Sequence, residues 1–158
     1  MRDFLPIEKY VPHRGAMLLL ERLLDAGEEY AIAQVCVPRD GLFVQHGVVP
    51  AWVGIEYMAQ TVAAWAGWQA VCRNEPVKIG FLLGSRRYEA LCPSFAAGST
   101  LRVEARCELL GSNGLGMFDC QVWDGDVLSA RAKISVYEPE NGAAYLQELA
   151  AEAGGGHE

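Results

Sequence analysis

Glu56 and Gln60 stand four residues apart inside a nearly unbroken apolar stretch, Val49 to Val71, and Gln45-His46-Gly47 comes just before it. On a helix that spacing puts Glu56 and Gln60 on one face. A carboxylate in such a helix is costly unless it is paired or used. Burial raises a carboxyl's pKa, which suits a proton donor. A neutral imidazole, with its unperturbed pKa near working pH, suits a proton acceptor. His46 and Glu56 could therefore act together, one taking a proton from a carbon next to a carbonyl and the other giving one to a departing hydroxyl. The enolate formed needs donors, and the unpaired N–H groups at the positive end of the helix, around Ala51 and Trp52, are placed to supply them. Gln60 then supports Glu56.

Each of these residues also has a plainer reading. Glu56 could be a structural carboxylate, and His46 an ordinary loop histidine. His13, in Pro12-His13-Arg14, reads as structural rather than catalytic. His157 lies in a glycine-rich tail and reads as solvated. Trp52, Trp65 and Trp68 read as packing residues. Arg86-Arg87 reads as a solvated strand end, or, in an acidic protein, as a cationic spot for an acidic partner or a phosphate.

The element that must hold Glu56 is the apolar stretch itself. Pro50 suits a first helical position, having no N–H to leave unpaired, and about six turns follow it. A helix apolar all round is a membrane span or the centre of a fold; Glu56, Gln60, Thr61 and Gln69 argue against the span. A sheet must then wrap the helix. Tyr30 to Val37 reads as a strand. Residues 16 to 24 could be a helical turn or a strand, with a turn at Asp25-Ala26-Gly27. Gly41 to Val49 reads as a loop, and Val77 to Leu91 as a long strand bent near Gly80 or Gly84. Pro93 to Ser99 reads as a loop. In Thr100 to Leu109, Leu101, Val103, Ala105, Cys107 and Leu109 alternate with Arg102, Glu104, Arg106 and Glu108, the mark of a half-buried antiparallel strand. Gly116 to Trp123 and Val127 to Tyr137 follow, joined by a hairpin at Asp124-Gly125-Asp126. A short helix is expected over 143–153.

Composition bounds the rest. The 158 residues are expected to form a single domain over 1–153, with 154–158 as a flexible tail. With 51% hydrophobic residues and a net charge of −7, the chain is neither disordered nor a general nucleic-acid binder. Five cysteines without a C-x-x-C pair read as buried thiols in a reducing compartment, with no metal site. No cationic region followed by an apolar run opens the chain, so a cytoplasmic location is expected. The fold class is α+β: a curled antiparallel sheet wrapped round one long central helix, one option among several on pattern alone.

Motifs narrow that choice. Pro12-His13-Arg14 followed by Met17-Leu18-Leu19-Leu20-Glu21-Arg22 resembles the opening of FabA/FabZ-type β-hydroxyacyl-ACP dehydratases. Gln45-His46-Gly47, Pro50 and Glu56-Tyr57-Met58-Ala59-Gln60 resemble that family's loop and helix, in the same order. The wording Val49-Pro50-Ala51-Trp52-Val53-Gly54-Ile55-Glu56-Tyr57-Met58-Ala59-Gln60 is more similar still to the dehydratase-like proteins of aryl polyene clusters. The chain departs from the FabZ pattern in reversing Gly and His to His46-Gly47, in shortening the stretch to Pro50, and in carrying Ala51 where glycine is usual.

The resemblance implies a hotdog fold and a 3-hydroxyacyl-[acyl-carrier-protein] dehydratase of fatty-acid or polyene biosynthesis. It implies no cofactor beyond the phosphopantetheine arm that carries the substrate. It also implies a dimer, in which His46 of one subunit meets Glu56 of the other. The partners expected are an acyl carrier protein, met through Arg86 and Arg87, and a second hotdog chain, identical or different, with no nucleic acid and no membrane. Two other classes stay open: a hotdog thioesterase, in which His46 is dispensable, and a non-catalytic subunit that completes the site of an active dehydratase.

Overall fold

Gly54 to Cys72 form the long helix, α1, and it touches every strand of the six-stranded antiparallel sheet curled against it. The computed structural model describes residues 3–78, 80–140 and 142–155. The main sheet contains β1 (Arg22–Ala26), β2 (Tyr30–Cys36), β4 (Phe81–Ala90), β6 (Thr100–Leu110), β7 (Leu115–Asp124) and β8 (Val127–Tyr137), in the order β1-β2-β6-β7-β8-β4. Two three-residue strands, β3 (Val48–Pro50) and β5 (Ser94–Ala96), pair beside the start of α1. A second helix, α2, spans Gly142–Gly155. This is the hotdog arrangement.

Alternation explains the sheet's inner face. Ala31, Ala33 and Val35 of β2, Leu101, Val103 and Ala105 of β6, Phe118, Cys120 and Val122 of β7, and Ala130, Ala132 and Ile134 of β8 are buried. They enclose Tyr57, Met58, Val62, Ala64 and Trp65 of α1 in one core. Each apolar surface covers the other, which is why neither forms alone. No described helix is long and apolar enough to cross a membrane.

Several expectations need correction. Pro50 ends β3 and caps a 3-10 turn at Ala51–Val53, so α1 starts later than the proline suggests. The undecided stretch from 16 to 24 is a 3-10 turn at Gly15–Met17 followed by β1, which runs through the expected turn at Asp25 and Ala26. Leu109 does not face inward: the register shifts between Cys107 and Leu109, leaving Leu109 and Leu110 exposed. Of the five cysteines, all free thiols, only Cys120 is fully buried, and Cys36 and Cys72 are exposed. Helix α2 takes in Gly154 and Gly155, two residues expected in the tail; His157 lies outside the described residues.

Candidate active site

The segment before β1 is fastened to α1 at two points. An added Cβ at Gly67 would overlap the Tyr10 carbonyl, so only glycine lets that main chain lie against the helix. About two turns earlier on α1, Gln60 is fully buried, and its amide bridges the same segment: Nε2 donates to the Met17 carbonyl at 2.7 Å, and Oε1 accepts from the Leu19 N–H at 2.9 Å. Between the two clamps lies Pro12-His13-Arg14. The Arg14 guanidinium donates to the carbonyls of Val11 at 2.6 Å, His13 at 2.7 Å and Glu8 at 2.8 Å, so it holds the turn that carries His13.

His13 and Glu56 consequently line one cavity of about 910 Å³. Its wall along α1 includes Glu56, Ala59, Ala63, Ala66, Ala70 and Arg73, a run of about 25 Å at the helical rise. Small side chains on that flank leave the space that larger ones would fill. Phe81, Tyr137 and Tyr145 line it too; Tyr145 packs 4.8 Å from Phe81 and 5.1 Å from Tyr137, centroid to centroid.

Glu56 is half-buried and, among the described residues, makes no hydrogen bond or ion pair. Its neighbours on the helix differ: Thr61 donates to the Tyr57 carbonyl at 2.8 Å, Trp65 to Gly27 at 3.1 Å and Gln69 to Glu28 at 2.8 Å. His13 is half-buried, with Nδ1 enclosed and without a hydrogen-bond partner among the described residues. Burial pushes its pKa below the ordinary histidine value; the Glu56 carboxylate pulls the other way, and Arg14 adds to the lowering. Burial thus favours the neutral ring, against the field of Glu56.

The other residues singled out in the sequence lie elsewhere. Gln60 uses its amide on Met17 and Leu19, so it positions the His13 segment and reaches Glu56 only indirectly. His46 sits exposed on a two-residue turn, closed by Gln45 N–H to the Val48 carbonyl at 2.8 Å and the return bond at 3.1 Å. Its φ is 54° and that of Gly47 is 78°, the left-handed pair such a tight hairpin demands. His46 is not among the residues lining the cavity of its own chain. The Ala51 N–H is taken by the Pro93 carbonyl at 3.2 Å, and the Tyr88 hydroxyl donates to the Ala51 carbonyl. The Trp52 side chain is 61% exposed and meets Phe43 edge-on. Arg86 pairs with Lys133 in the backbone register of β4 with β8, and its side chain lies outside the described residues; Arg87 is exposed, at φ 56° in an irregularity of β4. Among the described residues no group of three or more His, Cys, Asp or Glu could hold a metal ion.

Sequence reasoning missed His13 as a neighbour of Glu56, and Tyr88 as the tie between β4 and the start of α1. The signals present were Arg14 directly after His13 and Gly67 in the middle of a long apolar helix.

A curled sheet round a central helix, with the Glu56 carboxyl of that helix on the wall of a long cavity, defines a hotdog protein. The chain belongs to the ApeP-like family (ApeP dehydratase), whose model matches residues 5–147. It is similar to the 3-hydroxyacyl-[acyl-carrier-protein] dehydratase FabZ of Alkalilimnicola ehrlichii, 29% identical over 143 residues, covering 84% of this chain and 88% of that one. Among solved structures it resembles the dehydratase heterocomplex ApeI:P from Xenorhabdus doucetiae, with a TM-score of 0.85 and 31% identity over 93% of this chain and 99% of that one. The uncharacterised protein PH1136 from Pyrococcus horikoshii shares the fold, with a TM-score of 0.64 and 17% identity over 89% of this chain and 99% of that one.

Proposed function

We propose that this chain is a 3-hydroxyacyl-[acyl-carrier-protein] dehydratase, acting on a β-hydroxyacyl thioester in fatty-acid or polyene biosynthesis. The observation that carries the reading is Glu56: in a member of a dehydratase family, it is a carboxyl without a hydrogen-bond or ion-pair partner among the described residues, on the wall of a long cavity that His13 also lines. The acyl chain lies along α1. Glu56 gives a proton to the β-hydroxyl as the C–O bond breaks; an imidazole takes the α-proton; water leaves and the Cα=Cβ bond forms. N–H groups of the 3-10 turn that leads into α1, around Ala51 and Trp52, face the thioester oxygen as charge develops there. With the Ala51 N–H held by Pro93, that role falls mainly to Trp52.

The substrate arrives on the phosphopantetheine of an acyl carrier protein in the cytoplasm, with Arg86 and Arg87 as the carrier's contacts, and no metal or further cofactor takes part. Strand β4 is an edge, bonded only to β8 within the main sheet, and edges are usually covered or paired. The chain therefore works as a dimer joined along β4, with a copy of itself or with another hotdog chain; the heterocomplex formed by the Xenorhabdus relative favours the second. His46 can act as the imidazole only if its hairpin reaches the Glu56 of such a second chain.

The test offers the purified protein, in the assembly it forms, a β-hydroxyacyl carrier and a saturated acyl carrier. Intact mass should show loss of water from the first and no change in the second. Hydrolysis of both without water loss would make the chain a thioesterase; no reaction until a second hotdog chain is added would make it a partner subunit.

A further inference from the structure

We infer that Tyr88 is a positioning residue of the reaction: its hydroxyl aims the Trp52 N–H at the thioester oxygen; the inference rests on the dehydratase reading above. Three observations carry it. The first is a bond. The Tyr88 hydroxyl donates to the Ala51 carbonyl, an oxygen that also accepts from the Gly54 N–H. That carbonyl and the Trp52 N–H are two ends of one planar peptide unit, so a bond that fixes the first fixes the direction of the second. The turn is pinned on its other side by the Pro93 carbonyl, which takes the Ala51 N–H at 3.2 Å. The Trp52 N–H itself makes no hydrogen bond among the described residues. The second is a bulge. Strand β4 shifts register against β8 between Arg86 and Glu89, whose partners are Lys133 and Arg131, so Arg87 and Tyr88 together face Ala132. Arg87 takes φ 56° there, a left-handed position that residues other than glycine seldom adopt. Bulges re-aim a side chain, and they gather next to active sites. The third is room: a Cβ at Gly54 would overlap the Tyr88 hydroxyl, so glycine at the start of α1 leaves the place that the hydroxyl occupies.

As the α-proton leaves, negative charge gathers on the thioester oxygen. A hydrogen bond given to the Ala51 carbonyl draws electron density toward that oxygen and makes the Trp52 N–H the stronger donor. Tyr88 gains and loses no proton in the cycle and acts only through this peptide. Burial pushes its pKa up to about 12, with Cys92 adding to the rise, so the hydroxyl stays protonated and donating across the working range.

The experiment compares wild type, Tyr88→Phe, Gly54→Ala and the double variant of those two, each as the full chain in its native assembly. Phenylalanine keeps the ring and removes only the hydroxyl; alanine at position 54 puts a methyl where the hydroxyl lies. Water loss from a β-hydroxyacyl carrier is followed by mass over a range of concentrations, and the fold by thermal unfolding. Tyr88→Phe should lower kcat about tenfold with KM unchanged, less than the roughly 100- to 1,000-fold loss on removing such a donor outright, because the Trp52 N–H remains. Gly54→Ala should lower kcat similarly, and the double variant should be little worse than either single. A saturated acyl carrier, isotope-labelled at the thioester carbonyl, gives a second readout by infrared spectroscopy. Its carbonyl stretch should be lowered on binding to wild type and return toward the free value in Tyr88→Phe, a change that a merely structural role would not produce. A folded Tyr88→Phe protein with wild-type kcat, or with the carbonyl stretch unmoved, overturns the inference and leaves the dehydratase reading standing. A wild type that hydrolyses both carriers without losing water overturns that reading, and the inference with it. If Tyr88→Phe does not fold, Gly54→Ala decides in its place by the same two readouts.

Discussion

Two segments of this chain carry a histidine near the start of α1, and they are built in opposite ways. The segment with His13 has little regular structure, yet it is clamped to α1 at Gly67 and Gln60 and tied internally by Arg14. The segment with His46 has a regular hairpin turn, yet its tip is exposed and its histidine occupies a left-handed backbone position. Order in secondary structure and order in position are therefore separate matters. A side chain is held for chemistry by what its main chain is bonded to, and on that measure the irregular segment is the better platform.

That contrast is open to attack at the clamps. Gly67→Val should have the largest effect. Its side chain would occupy the place of the Tyr10 carbonyl, and overpacking of this kind costs about 1–3 kcal/mol where it can be absorbed at all. The expected outcome is a lower melting temperature and loss of water-eliminating activity, with the segment before β1 newly open to limited proteolysis. Unchanged proteolysis would mean that the Tyr10 contact does not hold the segment.

Gln60→Leu comes next. It keeps the volume but leaves the Met17 carbonyl and the Leu19 N–H without their partner, at about 1–3 kcal/mol. Thermal unfolding should register that loss, and kcat should fall because the wall of the cavity that Glu56 lines is less well held. A stability loss with unaltered kcat would reduce Gln60 to a purely structural residue.

The smallest effect is a pH dependence. The folded chain holds the His13 pKa below the unfolded value of 6.5, chiefly by burial. Between those two values the unfolded chain binds a proton that the folded chain does not, so stability rises with pH there. Going the other way, the contribution is present above pH 6.5 and is lost as pH falls through the folded pKa. Denaturant unfolding should show that slope, and His13→Asn should remove it. A slope that survives the substitution would mean that other groups cause it.

The sequence made some of this legible and hid the rest for physical reasons. The central helix can be read because its apolar run is long, and Glu56 because a carboxyl in such a run stands out. Strands β2, β6 and β8 can be read from period-two alternation, up to the irregularity after Cys107 that turns Leu109 outward. Strands β3 and β5 are not legible, since three residues are too few to show a period. Nor is the place of β4, which crosses to the far edge beside β8 and leaves β6, β7 and β8 as the meander. The thiols mislead because cysteine is often buried, whereas Cys36 and Cys72 lie at the surface. His13 is hidden by distance along the chain. It is joined to Glu56 only through contacts that Gly67 and Gln60 make, and the helix face that Gln60 shares with Glu56 points instead to a direct support between those two.

If Glu56 is the acid of a dehydration carried out in the cavity along α1, its carboxyl is indispensable to turnover. To measure this, wild type and Glu56→Gln are given the same β-hydroxyacyl carrier, in the same assembly, and water loss is timed by intact mass, with equal folding verified by thermal unfolding. Glutamine keeps the shape of the side chain and removes the titrating group. The rate should fall by about two to four orders of magnitude, as for the removal of a general acid. A well-folded Glu56→Gln protein that eliminates water at the wild-type rate would refute the assignment.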